Sequence, residues 1–215
     1  MSIESYYAKR ANEHERIYAK PERQNDLQTL RTSLAETFRR KRVLEIACGT
    51  GYWTEVLARS AASVTAVDIN DEVLELARAK LLTARFERGD VYALPKFPQQ
   101  FDAGLAAFWW SHIPKARLAP FLAQFHRAFA PGATIVFMDN VYVKGSSTPL
   151  SRTDAEGNTY QTRRLDDAST HEVLKNFPTE EGLRQTLDGL ACEIRIKFLE
   201  YYWILAYVTL RTSPG

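Results

Sequence analysis

The chain has 215 residues, 45% hydrophobic and 25% charged, and a formal net charge of +2. That length suits one domain, or one domain with a lid, and so small a charge argues against a protein built around a phosphate backbone. Cys48 and Cys192 are too few for a disulfide framework or a metal site, and no apolar run has the length of a membrane span or the layout of a signal peptide. A reducing, cytoplasmic setting away from membranes is the expectation.

Ser2 to Arg40 reads as helical in two pieces. In the first, Tyr6, Tyr7, Ala11, Ile17 and Tyr18 are mixed with many charges, so the segment is either a flap over a ligand or a tail packed on a sheet. Pro21 breaks it, and Leu27, Leu30, Leu34 and Phe38 then recur at helical spacing, which predicts a second helix packed by its leucine face. The basic run Arg39-Arg40-Lys41-Arg42 reads as a helix C-terminus whose cations offset the dipole.

Val43 to Ile46 is a short apolar run with Glu45 inside it, and it breaks into Ala47-Cys48-Gly49-Thr50-Gly51 before a helical pattern begins. This predicts a strand, a tight turn and a helix start. Small residues let the backbone approach a ligand, and the free N–H groups of a helix start favour an anionic or strongly polar group. The dinucleotide fingerprint G-x-G-x-x-G/A would require a small residue where Thr54 stands. The run instead resembles motif I of the class I S-adenosylmethionine-dependent methyltransferases, E-x-G-x-G-x-G. Glu45, Ala47, Gly49 and Gly51 fall on those positions, with Ala47 in place of the first glycine, a replacement expected to cost little.

Trp53 to Ser60 continues as a helix with Val56 and Leu57 inward, and Ser63 to Ile69 is a strand rich in β-branched residues. Asp68 near its end lies 17 residues beyond Gly51, placed to accept two hydrogen bonds from a ribose diol, with Ile69 against an adenine ring. Asn70-Asp71 is expected to cap a helix from Glu72 to Leu82, with Val73, Leu74, Leu76, Ala77 and Leu81 on its apolar side. Phe86 to Val91 follows as a short strand and turn, and Pro95 and Pro98 mark a loop. Gly89-Asp90 resembles the family position where a carboxylate accepts from the adenine amino group and the next N–H, here Val91, meets a ring nitrogen. The alternative for Asp90 is an ordinary turn residue.

Phe101 to Phe108 is apolar almost throughout, as a central parallel strand should be, and opens into Trp109-Trp110-Ser111-His112 where open α/β sheets bind ligands. The segment also resembles the family's motif IV region. Of the two tryptophans, one is expected in the core and the other in the pocket. Leu118 to Phe129 reads as a helix and Ala133 to Asp139 as the next strand, and the repeated alternation predicts a parallel sheet with right-handed crossovers. From Val141 to Pro178 neither period holds, and a segment that long without regular structure tends to be functional. Ala155-Glu156-Gly157-Asn158 reads as a hairpin tip inside it, and the arm reads as a substrate lid carrying Tyr142, Arg163, Arg164 and His171.

Thr179 is expected to cap a helix through Leu190. Ile194, Ile196 and Phe198 then alternate with Glu193, Arg195 and Lys197, while Trp203 to Leu210 is nearly all apolar, so an exposed strand precedes a buried one. The short turn between them requires an antiparallel pair. An inner last strand beside an outer penultimate one is similar to the class I methyltransferase sheet, in which the seventh strand inserts between the fifth and sixth. The expected class is therefore α/β: a doubly wound, seven-stranded, mostly parallel sheet with an antiparallel last strand and helices on both faces. A helical flap over residues 1–40 and a lid insertion over 141–178 complete a single domain over 1–215.

The resemblance implies transfer of a methyl group from S-adenosylmethionine to a small-molecule acceptor, aromatic or heterocyclic, at O or N. An aromatic mouth and a basic lid suit a flat substrate, an anionic one included. It assigns cofactor binding to Tyr18, Glu45, Ala47, Gly49, Gly51, Trp53, Asp68, Ile69, Asp90, Val91 and Phe108, and substrate binding to Trp109, Trp110, Tyr142 and Arg163. Tyr7 and Tyr18 become lid residues, and Tyr18, Trp53 and Trp110 are candidates to face the sulfonium. His112 and His171 are the candidate catalytic bases. No acidic cluster with ligand spacing calls for a metal. An RNA or protein methyltransferase is a weaker alternative, because the strand-four loop lacks an N-P-P-Y-like run and a catalytic cysteine. The third alternative is a non-catalytic S-adenosylmethionine-binding protein. Nucleic acid is not expected as a partner, and the state is monomer or homodimer.

Overall fold

The computed structural model describes residues 11–210, with side chains from Glu15 onward, so Tyr6 and Tyr7 lie outside the described residues. After 3₁₀ segments at Ala11–Ala19 and Pro21–Arg23, the chain runs through α1 (Gln24–Thr37), β1 (Arg42–Ile46), α2 (Tyr52–Ala58), β2 (Ser63–Asp68), α3 (Asp71–Ala79), β3 (Arg85–Arg88) and β4 (Phe101–Ala107). It continues with α4 (Leu118–His126), β5 (Phe129–Asn140), β6 (Leu150–Thr153), β7 (Thr159–Arg164), β8 (Thr170–Leu174), α5 (Glu180–Thr186), β9 (Ala191–Phe198) and β10 (Tyr202–Thr209).

Continuous rather than alternating apolar residues make β1 and β4 inner strands, covered on both faces. β1 pairs in parallel with β2 on one side and β4 on the other, and Ile46 stands level with both Val67 and Ala106. The sheet order is β3-β2-β1-β4-β5-β10-β9, with β10 antiparallel to both its neighbours. Connections reverse direction between β1 and β4, which opens a crevice at the carboxyl ends of those strands. The register brings the chain leaving β1, β2 and β4 to that one edge.

The pleat divides the core. Leu44, Ile46, Ile135 and Phe137 pack with Phe121 and Phe125 of α4 and Leu183 of α5. Val43, Leu105, Val136 and Met138 face Leu27, Leu30 and Leu34 of α1, with Trp53 and Leu57 of α2. Each of those three α1 leucines is fully buried, worth about 1.5–3 kcal/mol apiece. Gly104 in β4 is required by packing, because a Cβ there would sit 2.4 Å from the Phe129 ring.

Four local expectations are corrected. The basic run does not end a helix: α1 stops at Thr37 with no cation in its last turn, and Arg42 enters β1 instead. Arg42 grips Asp102 with two parallel bonds, Nε to Oδ2 at 2.9 Å and Nη2 to Oδ1 at 2.7 Å, and holds that carboxyl at about 2. Leu81 is not on the apolar side of α3: the helix ends at Ala79, and Leu81 sits at φ 53° with 91% of its surface exposed. Phe198, at the edge strand's end, is 40% exposed.

The segment 141–178 is not without strands. β6, β7 and β8 form a three-stranded antiparallel sheet. It escaped a periodicity reading because β6 is exposed at every position and β7 is almost entirely polar. The hairpin tip lies between β6 and β7, where Asp154 Oδ1 accepts from the N–H groups of Glu156 and Asn158. Among the described residues, no helix is long and apolar enough to cross a membrane.

Candidate functional site

A cavity of about 1000 Å³ opens at the carboxyl ends of β1, β2 and β4. Its floor is the turn after β1. Ala47, Gly49 and Gly51 all have positive φ, at 51°, 55° and 78°, so the chain winds tightly and α2 starts from a left-handed Gly51. Ala47 therefore occupies a conformation that costs an L-residue roughly 1–2 kcal/mol, more than the sequence suggested. Gly51 itself does not line the cavity. It is buried against α3, where a Cβ would come 3.1 Å from that of Ala77.

Asp68 ends β2 beside this turn and is 8% exposed. Its Oδ2 accepts from the N–H of Gly49 at 2.9 Å and its Oδ1 from the N–H of Asn70 at 3.0 Å. An ionised carboxylate has about four acceptor positions, so two bonds fix the group and leave capacity toward the cavity. Burial pushes its pKa up and the backbone N–H groups oppose that. Asn70 occupies the cap position of α3, yet its side chain makes no capping bond.

Glu45 lies under the floor, 1% exposed, and accepts from Thr54 Oγ1 at 2.6 Å. Burial pushes its carboxyl up to about 8, against the opposing Thr54 bond and with a smaller push from Asp68. Thr54, read only as a mismatch to another motif, is thus the residue that orients Glu45.

One wall is aromatic. Tyr18 stacks on Tyr52 with ring centroids 3.9 Å apart, accepts from Trp53 Nε1 at 3.1 Å, and packs on Phe108. Phe108 follows β4 at φ 59°, turning the chain sharply as it leaves the sheet. The described part of the N-terminal segment is tied to the floor, since Glu15 Oε1 accepts from Thr50 Oγ1 at 2.6 Å and pairs with Lys80 at 2.5 Å. On the opposite side lie Ile69, Asp90 and Val91, with Asp90 Oδ1 accepting from the Tyr92 N–H at 2.8 Å. Tyr92 and Trp109 meet edge to face at the mouth, and the Arg117 guanidinium lies 4.2 Å from the Tyr92 ring centre. Neither Tyr92 nor Arg117 had a signal in the sequence.

The two tryptophans separate as expected of one core and one pocket residue. Trp109 lines the cavity, whereas Trp110 is 2% exposed and edge-on to Phe137 and Trp203. Trp110 is therefore removed from the substrate-binding and sulfonium-facing candidates. Tyr142 also lies outside the cavity, 39% exposed against Phe177. Arg163 lines a second cavity of about 360 Å³, and Tyr18, Phe108 and His112 line both spaces and form the neck between them.

His112 is 4% exposed and its Nδ1 is 2.7 Å from the carbonyl oxygen of Leu174. A carbonyl only accepts, so Nδ1 carries the hydrogen. Burial, reinforced by the Lys175 charge, pushes this histidine well below its ordinary pKa and keeps it neutral. His171 lines the cavity from β8, with Nε2 2.7 Å from Ser169 Oγ.

The small sheet is fastened by groups the sequence did not single out. Lys175, 3% exposed, places Nζ 2.6 Å from Asp139 Oδ1 and 2.7 Å from Ser111 Oγ. Burial alone would raise the Asp139 carboxyl, but the nearby cation outweighs it and holds the group below its usual value. Asn176 donates to the Ile113 carbonyl and accepts from the Thr159 N–H.

A methyltransferase-domain family model matches residues 43–132. The chain is 31% identical over 113 residues to the malonyl-[acyl-carrier protein] O-methyltransferase of Pectobacterium atrosepticum, an alignment covering 51% of this chain and 42% of that protein. It is 36% identical over 105 residues to the demethylmenaquinone methyltransferase of Deinococcus radiodurans, covering 46% and 43% respectively. The chain thus spans less than half the length of these two relatives. Two solved structures are similar over nearly everything. The DhpI–SAH complex superposes with a TM-score of 0.78 at 27% identity, covering 97% of this chain and 95% of that one, and the DhpI–SAM–HEP complex does so at 0.78 and 26%, covering 96% and 99%. The strand order, the turn after β1 and these likenesses agree: residues 43–132 match a methyltransferase domain, and the chain has the fold of the class I S-adenosylmethionine-dependent methyltransferases.

Proposed function

We propose that this chain binds S-adenosylmethionine in the larger cavity and transfers its methyl group to a small aromatic or heterocyclic molecule, at O or N. Asp68 carries the reading: a buried carboxylate fixed by two backbone N–H groups, with spare acceptor capacity facing a cavity, fits a ribose diol. Gly49 keeps the floor low enough for close approach, Ile69 and Val91 offer apolar contact to a flat base, and Asp90 stands at its rim. When bound, S-adenosylmethionine supplies an electrophilic methyl group on a positively charged sulfur. The chain's part is to hold both molecules in line, which is worth about 7–11 kcal/mol of barrier in favourable systems. Tyr18, Trp53 and Phe108 provide ring faces of the kind that attract a cation, about 0.5–2 kcal/mol each. His112 at the neck is neutral with Nδ1 engaged, so its other nitrogen is the one able to take a proton from a hydroxyl or ring N–H acceptor.

Calorimetric titration of the full chain with S-adenosylmethionine tests the first half of the proposal, with saturable heat and protection from thermal unfolding as the expected outcome. Absence of both would end it. A labelled-methyl assay over a panel of small acceptors tests the second half, and label moving only into RNA or protein would overturn it.

A further inference from the structure

The two cavities differ in charge. The larger one has Asp68, Asp90 and Glu172 on its lining beside one cation, Arg117, and a Glu45 that burial keeps protonated. The smaller one is lined by Lys20, Arg23, Arg163, Arg164 and Lys175, and among the described residues no carboxylate lines it. Lys175 is already neutralised by Asp139. Arg23 is not: it is 5% exposed, and among the described residues its Nη1 and Nη2 reach only the hydroxyls of Tyr202 and Ser146, each at 3.3 Å, while its buried Nε meets no partner there. Its guanidinium is flanked by the rings of Tyr201 and Tyr202 at 5.0 and 5.5 Å, which fixes its plane without compensating its charge. A buried cation with only neutral partners is costly and is relieved by an anion. Guanidinium groups match the planar fork of a carboxylate or phosphate.

From this we infer that the smaller cavity is an oxyanion subsite, and that the methyl acceptor is an acid whose carboxylate or phosphate-type group sits there while its reacting atom lies at the neck formed by Tyr18, Phe108 and His112. The inference rests on the methyl donor occupying the larger cavity. The subsite joins three parts of the chain: Lys20 and Arg23 from the N-terminal segment, Ser146, Ser147 and Thr148 from the loop after β5, and Arg163 and Arg164 from β7. Such an acceptor would bind across the junction of flap, sheet and lid, and would draw them together.

The test titrates the full chain with inorganic phosphate and, separately, with malonate at low salt, with and without saturating S-adenosylhomocysteine, followed by calorimetry and thermal unfolding. At least one anion should bind saturably, and the two arms tell a phosphate-type group from a carboxylate. Arg23→Met should weaken that binding by about tenfold or more, and the exposed pair Lys20→Gln with Arg164→Gln by about threefold, while that pair leaves S-adenosylhomocysteine affinity unchanged. The exposed pair keeps the test decisive if Arg23→Met fails to fold. No saturable anion binding, or binding untouched by the substitutions, overturns the subsite. Anion binding that persists where S-adenosylhomocysteine fails to bind would instead remove the donor reading and leave the anion site standing.

Discussion

The carboxyl-end edge of the large sheet and the docked β6–β8 sheet are held by different kinds of bond. At the tips of β1 and β2 the contacts are short in sequence and mostly backbone: positive-φ residues from Ala47 to Gly51, and Asp68 taking N–H groups from Gly49 and Asn70. At the small sheet the contacts are side-chain bonds over long separations, Lys175 to Asp139 and Ser111, Asn176 to Ile113, and the Lys115 N–H to Asn158. The first arrangement needs only β1 and β2 side by side, whereas the second exists only once β5, β8 and the β4 loop have met.

The sharpest way to break that contrast is Lys175→Met. It strands the fully buried Asp139 carboxylate without its cation, and loss of one partner from such a pair costs about 3–5 kcal/mol. Urea unfolding should show that loss, and adding Asp139→Asn should recover much of it. Recovery absent in the double variant would mean that the pair does not act as a unit. Asp68→Ala attacks the other end and should cut S-adenosylmethionine affinity by roughly 30- to 100-fold, about 2–3 kcal/mol, in a chain that still folds. Calorimetry reads it, and an unchanged affinity would refute the ribose role.

Glu45 sharpens the comparison through pH. Its carboxyl is held at about 8 in the fold against 4.5 when exposed, so between those values the folded chain keeps a proton that the unfolded chain has lost. Stability should therefore fall as pH rises through that window, with a slope of about 1.4 kcal/mol per pH unit from this group. Below pH 4.5 and above about pH 8 the group adds no slope. Subtracting the unfolding curves of Glu45→Gln from those of the parent isolates the effect, and parallel curves would contradict it. The smallest change is Ala47→Gly, expected to stabilise by about 1 kcal/mol because glycine accepts φ 51° without Cβ strain. A melting temperature that stays level or drops would show that the turn tolerates alanine after all.

Much of this protein was legible residue by residue, for identifiable reasons. The leucines of α1, the continuous apolar strands and the β9–β10 pair announce themselves because burial follows period, and the turn after β1 because small residues are what its backbone requires. Asp68 could be placed because a strand's end is a local matter. The basic run could not, since whether Arg42 offsets a helix dipole or grips Asp102, 60 residues later, depends on which strands become neighbours. Trp109 and Trp110 are chemically alike, and only the turn at Phe108 decides which one enters the core.

The sequence by itself therefore determined the strands of the large sheet and the floor of the larger cavity, because these depend on hydrophobic period and on backbone conformation within a few residues, while the place of the last strand came from the family resemblance. Only the tertiary structure decided the β6–β8 sheet, the Lys175–Asp139 anchor and the gathering of basic side chains on the smaller cavity. Those features depend on side chains far apart in the chain, and charge, unlike hydrophobic spacing, carries no periodic trace of the partner it will meet.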